Sequence, residues 1–94
     1  MGKATYKVEG GKLIKVQILE RDDKIHKIKI TGDFFLHPED LIEDLEKTLT
    51  GKPLKEREIA ESIRNLIQER EATLLGASPE DFAKCILMAG NKNG

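Results

Sequence analysis

Covalent and acid–base chemistry requires a reactive side chain with a partner within hydrogen-bond reach, and this chain offers few candidates. The one cysteine, Cys85, falls at helical spacing with Phe82, Ile86 and Ala89, an apolar stripe where a thiol acts as a small buried hydrophobe. His26 and His37 stand eleven positions apart with no Cys or second His at ligand spacing, which excludes a four-ligand zinc site. Ser78 and Asp81 have the residue types of a nucleophile pair, but Ser78-Pro79-Glu80-Asp81 reads as a helix start with Ser78 as N-cap. Gly10-Gly11 lies between two strand-like runs and precedes no helix, so it reads as a hairpin turn and not a phosphate-binding loop. No nucleophile with its base, no acid–base pair and no metal cluster emerges.

Two surface features remain. Lys7, Lys15, Lys27 and Lys29 share the outward phase of alternating segments, with Lys3 and Lys12 near the rim. Such ammonium groups can meet phosphates or an acidic protein patch, while a polar outer sheet face and lysine-guarded edges are the plainer explanation. No aromatic residue is interleaved with them, so base stacking of the single-strand-binding kind has no support. The second feature is Gly32-Asp33-Phe34-Phe35. Adjacent residues face different ways, so one ring is expected to pack under the first helix and the other to be presented to a partner, the alternative being two core phenylalanines at a strand–helix corner. These four residues form the candidate interface.

The elements that would position these groups follow from periodicity. Ala4–Glu9, Lys12–Glu20 and Ile25–Thr31 alternate with period two, the last placing His26, Ile28 and Ile30 on one face and Ile25, Lys27 and Lys29 on the other. Gly10-Gly11 and Arg21–Lys24 are short turns, so the three strands form an antiparallel meander. From Pro38 the period becomes helical: a first helix carries Leu41, Ile42, Leu45 and Leu49 and stops at Gly51 and Pro53. A second helix runs from about Lys55 to Arg70 around Ile59, Ile63, Leu66 and Ile67, and a third begins at Ser78 and ends at Gly90. The fold expectation is α+β: a three-stranded antiparallel β-meander followed by about three helices packed on one face. Residues 1–90 form a single domain and 91–94 a flexible tail.

Composition bounds the function. Ninety-four residues support one modest core, and four aromatic residues without a tryptophan argue against a deep, aromatic-lined pocket. Basic and acidic residues nearly cancel at 16 and 17, which excludes a disordered charged tail and a histone-like nucleic-acid binder. The cancellation hides an asymmetry: residues 1–32 hold eight Lys/Arg against four acids, and residues 33–94 hold eight against thirteen. The sequence has no apolar run of membrane-spanning length, no signal-peptide h-region, and Tyr6 where myristoylation expects Ser or Thr. With a lone cysteine, the chain reads as cytoplasmic, without membrane or nucleic-acid partners.

The run Tyr6-Lys-Val-Glu-Gly-Gly-Lys-Leu-Ile-Lys-Val-Gln-Ile18, followed by Lys24-Ile-His-Lys-Ile-Lys-Ile-Thr-Gly-Asp-Phe-Phe35, resembles the small C-terminal domain of lipoate-protein ligases. Leu49-Thr50-Gly51-Lys52 matches the Leu-x-Gly element that closes that family's acidic helix, and Ser78-Pro79-Glu80 its last helix more loosely. The family activates lipoate with ATP to lipoyl-adenylate and passes the lipoyl group to a lysine on an acceptor domain. The resemblance implies that the catalytic residues, ATP, Mg and lipoate belong to a large subunit, and that no catalytic, cofactor or metal residue lies here. It further implies that this chain is a non-catalytic accessory subunit pairing with the large one as a heterodimer, with contact to the lipoyl acceptor domain as a further expectation. A chain running from Met1 to residue 94 fits the separately encoded form of this domain. The competing expectation is an independent α+β interaction or scaffold module unrelated to lipoate.

Overall fold

The computed structural model describes residues 2–10 and 12–90; Gly11 and the expected tail at 91–94 lie outside them. Strands β1 (Gly2–Lys7), β2 (Leu13–Arg21) and β3 (Lys24–Gly32) form an antiparallel sheet in the order β1-β2-β3. The first hairpin closes through Val8 N–H donating to Lys12 O at 2.7 Å, with Gly10 at φ +103°. The second uses Asp22 and Asp23, both at positive φ (55° and 62°), between the paired Arg21 and Lys24. Positive φ at both central residues is the twist-matched geometry of two-residue hairpin loops, and Asp tolerates it better than a branched residue.

One expectation about the sheet is corrected. The register moves from Leu19↔Lys27 to Glu20↔Ile25, leaving His26 as an extra residue in a bulge. The bulge flips the phase, so Ile25 is buried beside Ile28 and Ile30, and His26 is exposed. An unbroken period of two would have placed Ile25 outward.

The helices α1 (Leu41–Leu49), α2 (Glu56–Glu69) and α3 (Pro79–Ala89) cover the inner face of the sheet. Helix α3 lies under β1 and β2, α1 against β3, and α2 against both other helices. Ile14, Val16, Ile18, Ile25, Leu45, Leu49, Ile59, Ile63, Phe82 and Ile86 are all essentially inaccessible and form one core. Each such side chain contributes about 1.5–3 kcal/mol relative to exposure. Helix α1 begins at Leu41, later than Pro38, because residues 38–40 form a tight turn whose carbonyls accept from Leu41, Ile42 and Glu43 three residues on. The His37–Pro38 peptide is cis.

Helix α1 is fastened to the edge of β3 by Glu46, whose Oε2 accepts the Ile30 N–H at 2.8 Å. The α1–α2 connector adds Gly51 N–H to Ile25 O at 2.7 Å, Ile25 N–H to Lys52 O at 2.9 Å and Leu54 N–H to Asp23 O at 3.1 Å. Backbone groups of the sheet edge are thereby satisfied rather than left as a pairing template. Ser78 and Asp81 form a full capping box: Ser78 Oγ accepts from Asp81 N–H, and the Asp81 carboxylate accepts from Ser78 N–H. A cap of this kind contributes about 1 kcal/mol, and it accounts for the pair without a catalytic role.

A second, two-stranded sheet has no counterpart in the sequence expectation. Strand β4 (Phe35–His37) pairs antiparallel with β5 (Thr73–Leu75), joining the corner after β3 to the loop between α2 and α3.

Candidate docking surfaces

The corner is built by short-range geometry. Asp33 takes both main-chain groups of Leu13 at the start of β2: its N–H donates to Leu13 O, and its carboxylate accepts the Leu13 N–H. Gly32 makes this approach possible, since a Cβ there would stand 2.3 Å from Leu13 O. Of the four candidate interface residues, Gly32 and Asp33 therefore position the corner.

The two rings part. Phe34 turns inward, and its ring stands edge-to-face on buried Phe82 of α3, centroids 4.8 Å apart at 85°. Phe35 is 52% exposed and lies parallel to the His37 ring at 6.2 Å. The strand pairing explains the outward ring. Leu36 and Leu74 are cross-strand partners turned toward the core, so the flanking pair Phe35↔Leu75 must face out, and Leu75 is 58% exposed. A groove of about 310 Å³ borders this ribbon, lined by Ile30, Phe34, Phe35, Leu36, Glu39 and Ile42.

Leu75 and His37 were not among the sequence candidates for this surface. The signal for Leu75 was present: Leu74-Leu75, like Phe34-Phe35, is an apolar doublet in an otherwise polar stretch, and one member of each must face out. His37 is the last residue of β4.

The four lysines expected on one face are brought together. Lys7, Lys15, Lys27 and Lys29 are exposed on the outer side of the three-stranded sheet, joined by Lys3. The stem of Lys12 instead packs against Gly76, linking the sheet's rim to the end of β5.

Cys85 is fully buried, its Sγ 3.6 Å from Ile14 O and 3.7 Å from Ala4 O. Burial pushes its pKa from 9.0 up to about 11, partly opposed by the backbone N–H groups of Tyr6 and Val16. The raised value favours the neutral thiol in the folded state, so its contribution is complete below pH 9 and declines as pH rises from 9 to 11. The stability difference between the native protein and Cys85→Ala is expected to shrink by about 2–3 kcal/mol over that window. Denaturant melts at both pH values check this, and a constant difference contradicts it. At pH 8 a thiol reagent should label Cys85 only as fast as the chain opens.

The meander, the three helices on its inner face and the corner ribbon define an α+β module with two presentable surfaces. The chain belongs to the lipoate-protein ligase C-terminal family: the family model described as bacterial lipoate protein ligase C-terminus matches residues 3–86. It is 36% identical over 74 residues to Lipoate-protein ligase A subunit 2 of Thermoplasma acidophilum, covering 79% of this chain and 76% of that one. It also superposes with a TM-score of 0.76 and 32% identity on a chain from the structure of that organism's lipoylation system, described as a bi-partite lipoate protein ligase and its E2 lipoyl domain. That match covers 89% of this chain and 91% of the other. The expected fold class and family are thus borne out. Among the described residues no helix is long and apolar enough to cross a membrane.

Proposed function

We propose that the chain is the non-catalytic accessory subunit of a two-component lipoate-protein ligase, acting with a large catalytic subunit in ATP-dependent activation of lipoate to lipoyl-adenylate. Kinship with a ligase subunit 2 supports the class of role. The observation that carries the mode of action is the outward Phe35–Leu75 pair on a ribbon whose other side is anchored in the core. Two large apolar side chains left half in water forfeit about 1 kcal/mol each, which burial against a partner recovers. Aromatic anchors of this kind are enriched at the centres of interfaces.

In this reading the large subunit binds ATP, Mg²⁺ and lipoate, and the two chains form a heterodimer. The described residues of this chain bring no group of three or more His, Cys, Asp or Glu together for a metal ion. The small subunit acts by docking at the corner and closing the catalytic site. Water that would hydrolyse the acyl-adenylate is then excluded, and the donors around the departing pyrophosphate are held in place. Transfer to a lysine on the acceptor domain follows on the large subunit.

The test is to measure adenylate formation by pyrophosphate release, and transfer to the acceptor separately, with the large subunit alone and with this chain added. Stimulation of the first step of at least about ten-fold is expected. No effect on either step overturns the reading and leaves an independent interaction module.

A further inference from the structure

The outer face of the three-stranded sheet is used neither by the core nor by the corner. The register arranges it in rows: Lys3, Gln17 and Lys29 lie side by side, then Thr5, Lys15 and Thr31, while Lys7 faces Leu13 and Lys27 faces Leu19. No two lysines are paired directly across strands, which would be unfavourable. With strands about 4.8 Å apart and same-face neighbours about 6.7 Å apart, Lys15 sits about 8 Å diagonally from Lys3, Lys7 and Lys29. Five lysines are thus spread over one face, with Arg21 opposite Lys24 at its hairpin end, and none of the paired outer positions is acidic. The acids of the chain concentrate after residue 32, in the segment that supplies the helices on the opposite side. The result is a polarised body whose basic face is oriented toward negative charge at short range, while its net charge of −1 draws nothing from afar.

We infer that this lysine face is a transient docking surface for an acidic patch on a folded protein, namely the acceptor domain that receives the lipoyl group. The assignment of the acceptor rests on the ligase reading above. The chemistry of the face selects a visitor over a resident. Permanent subunit interfaces have apolar, aromatic centres from which lysine is depleted, and that description fits the Phe35–Leu75 ribbon. A face of mobile ammonium groups with no aromatic residue speeds encounter and sets orientation without a long residence time. A macromolecular substrate that must leave after every turnover needs that property. Nucleic acid is disfavoured: the face has no stacking ring, its one arginine, Arg21, stands at the hairpin end opposite Lys24, and the acidic helices lie behind it.

The experiment compares the reconstituted two-subunit ligase containing the native chain with one containing Lys15→Glu, Lys27→Glu and Lys29→Glu. The acceptor concentration at half-maximal transfer is measured from 50 to 300 mM salt. The expected result is a rise of about ten-fold at low salt, with the native salt dependence lost. Adenylate formation, which involves no acceptor, should change less than two-fold. Unchanged half-saturation and salt dependence overturn the inference. So does an equal loss of adenylate formation, which would place the face against the large subunit. Binding of labelled acceptor domain to the full chain by itself is measured in parallel with a DNA oligonucleotide and anionic lipid vesicles as competing probes. Charge-reversal-sensitive binding of either competitor, with none of the acceptor, assigns the face elsewhere. Failure of the ligase reading is seen separately, as absent stimulation of adenylate formation by the native chain.

Discussion

Replacing Phe35 and Leu75 together by serine is expected to weaken association with the large ligase subunit by at least about 30-fold, the loss of a single interface hot spot. Stimulation of adenylate formation should fall with it at fixed subunit concentration. Both side chains are more than half exposed, so the melting temperature should move by only a few degrees. Phe34→Ala is the contrasting variant. It removes the edge-to-face contact with Phe82 and opens space beside the core, costing about 2–4 kcal/mol. In a domain of this size that lowers the melting temperature by roughly 4–8 °C per kcal/mol. The neighbouring phenylalanines should therefore separate cleanly, one lost to stability and the other to binding. Affinity measured by titration of the labelled chain, alongside a thermal melt of each variant, reads both effects. A folded Phe35→Ser/Leu75→Ser chain that associates like the native protein would move the docking surface away from the ribbon.

The same region marks the boundary of what the sequence reveals. Period-two and helical patterns need several repeats, and β1–β3, α2 and α3 supply them. Their faces, the Arg21–Lys24 turn and the Ser78 cap were accordingly readable. Strands β4 and β5 have three residues each and pair across nearly forty positions, so neither periodicity nor a turn signal announces them. The His26 bulge is equally silent, because an inserted residue resembles one more alternating position until the partner strand shows the skipped register. Of the docking corner, the odd placement of two adjacent phenylalanines was legible, since adjacent strand residues diverge. For Leu75 the sequence shows only an apolar doublet with Leu74; that it stands beside Phe35 enters through the non-local pairing. The lysine face was readable as a set. What the register adds is its spacing, a property of three strands together.

Gly32→Ala carries the second large expectation, and it tests whether the corner's geometry matters as much as its side chains. A methyl group at Gly32 would lie 2.3 Å from Leu13 O and 2.9 Å from two atoms of the Phe34 ring. The backbone oxygen cannot swing aside as a flexible side chain would. It also accepts the Asp33 N–H at 3.1 Å, so relieving the clash pulls apart the two-bond clasp between Asp33 and Leu13. Overpacking costs about 1–3 kcal/mol and each strained hydrogen bond about 1 kcal/mol. A loss near 3 kcal/mol follows, or a fall in melting temperature of roughly 12–24 °C. Gly51→Ala separates this steric effect from simple glycine conformational preference. Gly51 has φ +89° but nothing within 4 Å of an added Cβ, so only the left-handed backbone penalty of about 1–2 kcal/mol applies. Below its melting temperature, Gly32→Ala should still bind the large subunit more weakly than Gly51→Ala, because the displaced corner carries Phe35 with it. Equal affinities for the two folded variants would mean that the partner reads the exposed side chains without regard to where the clasp holds them.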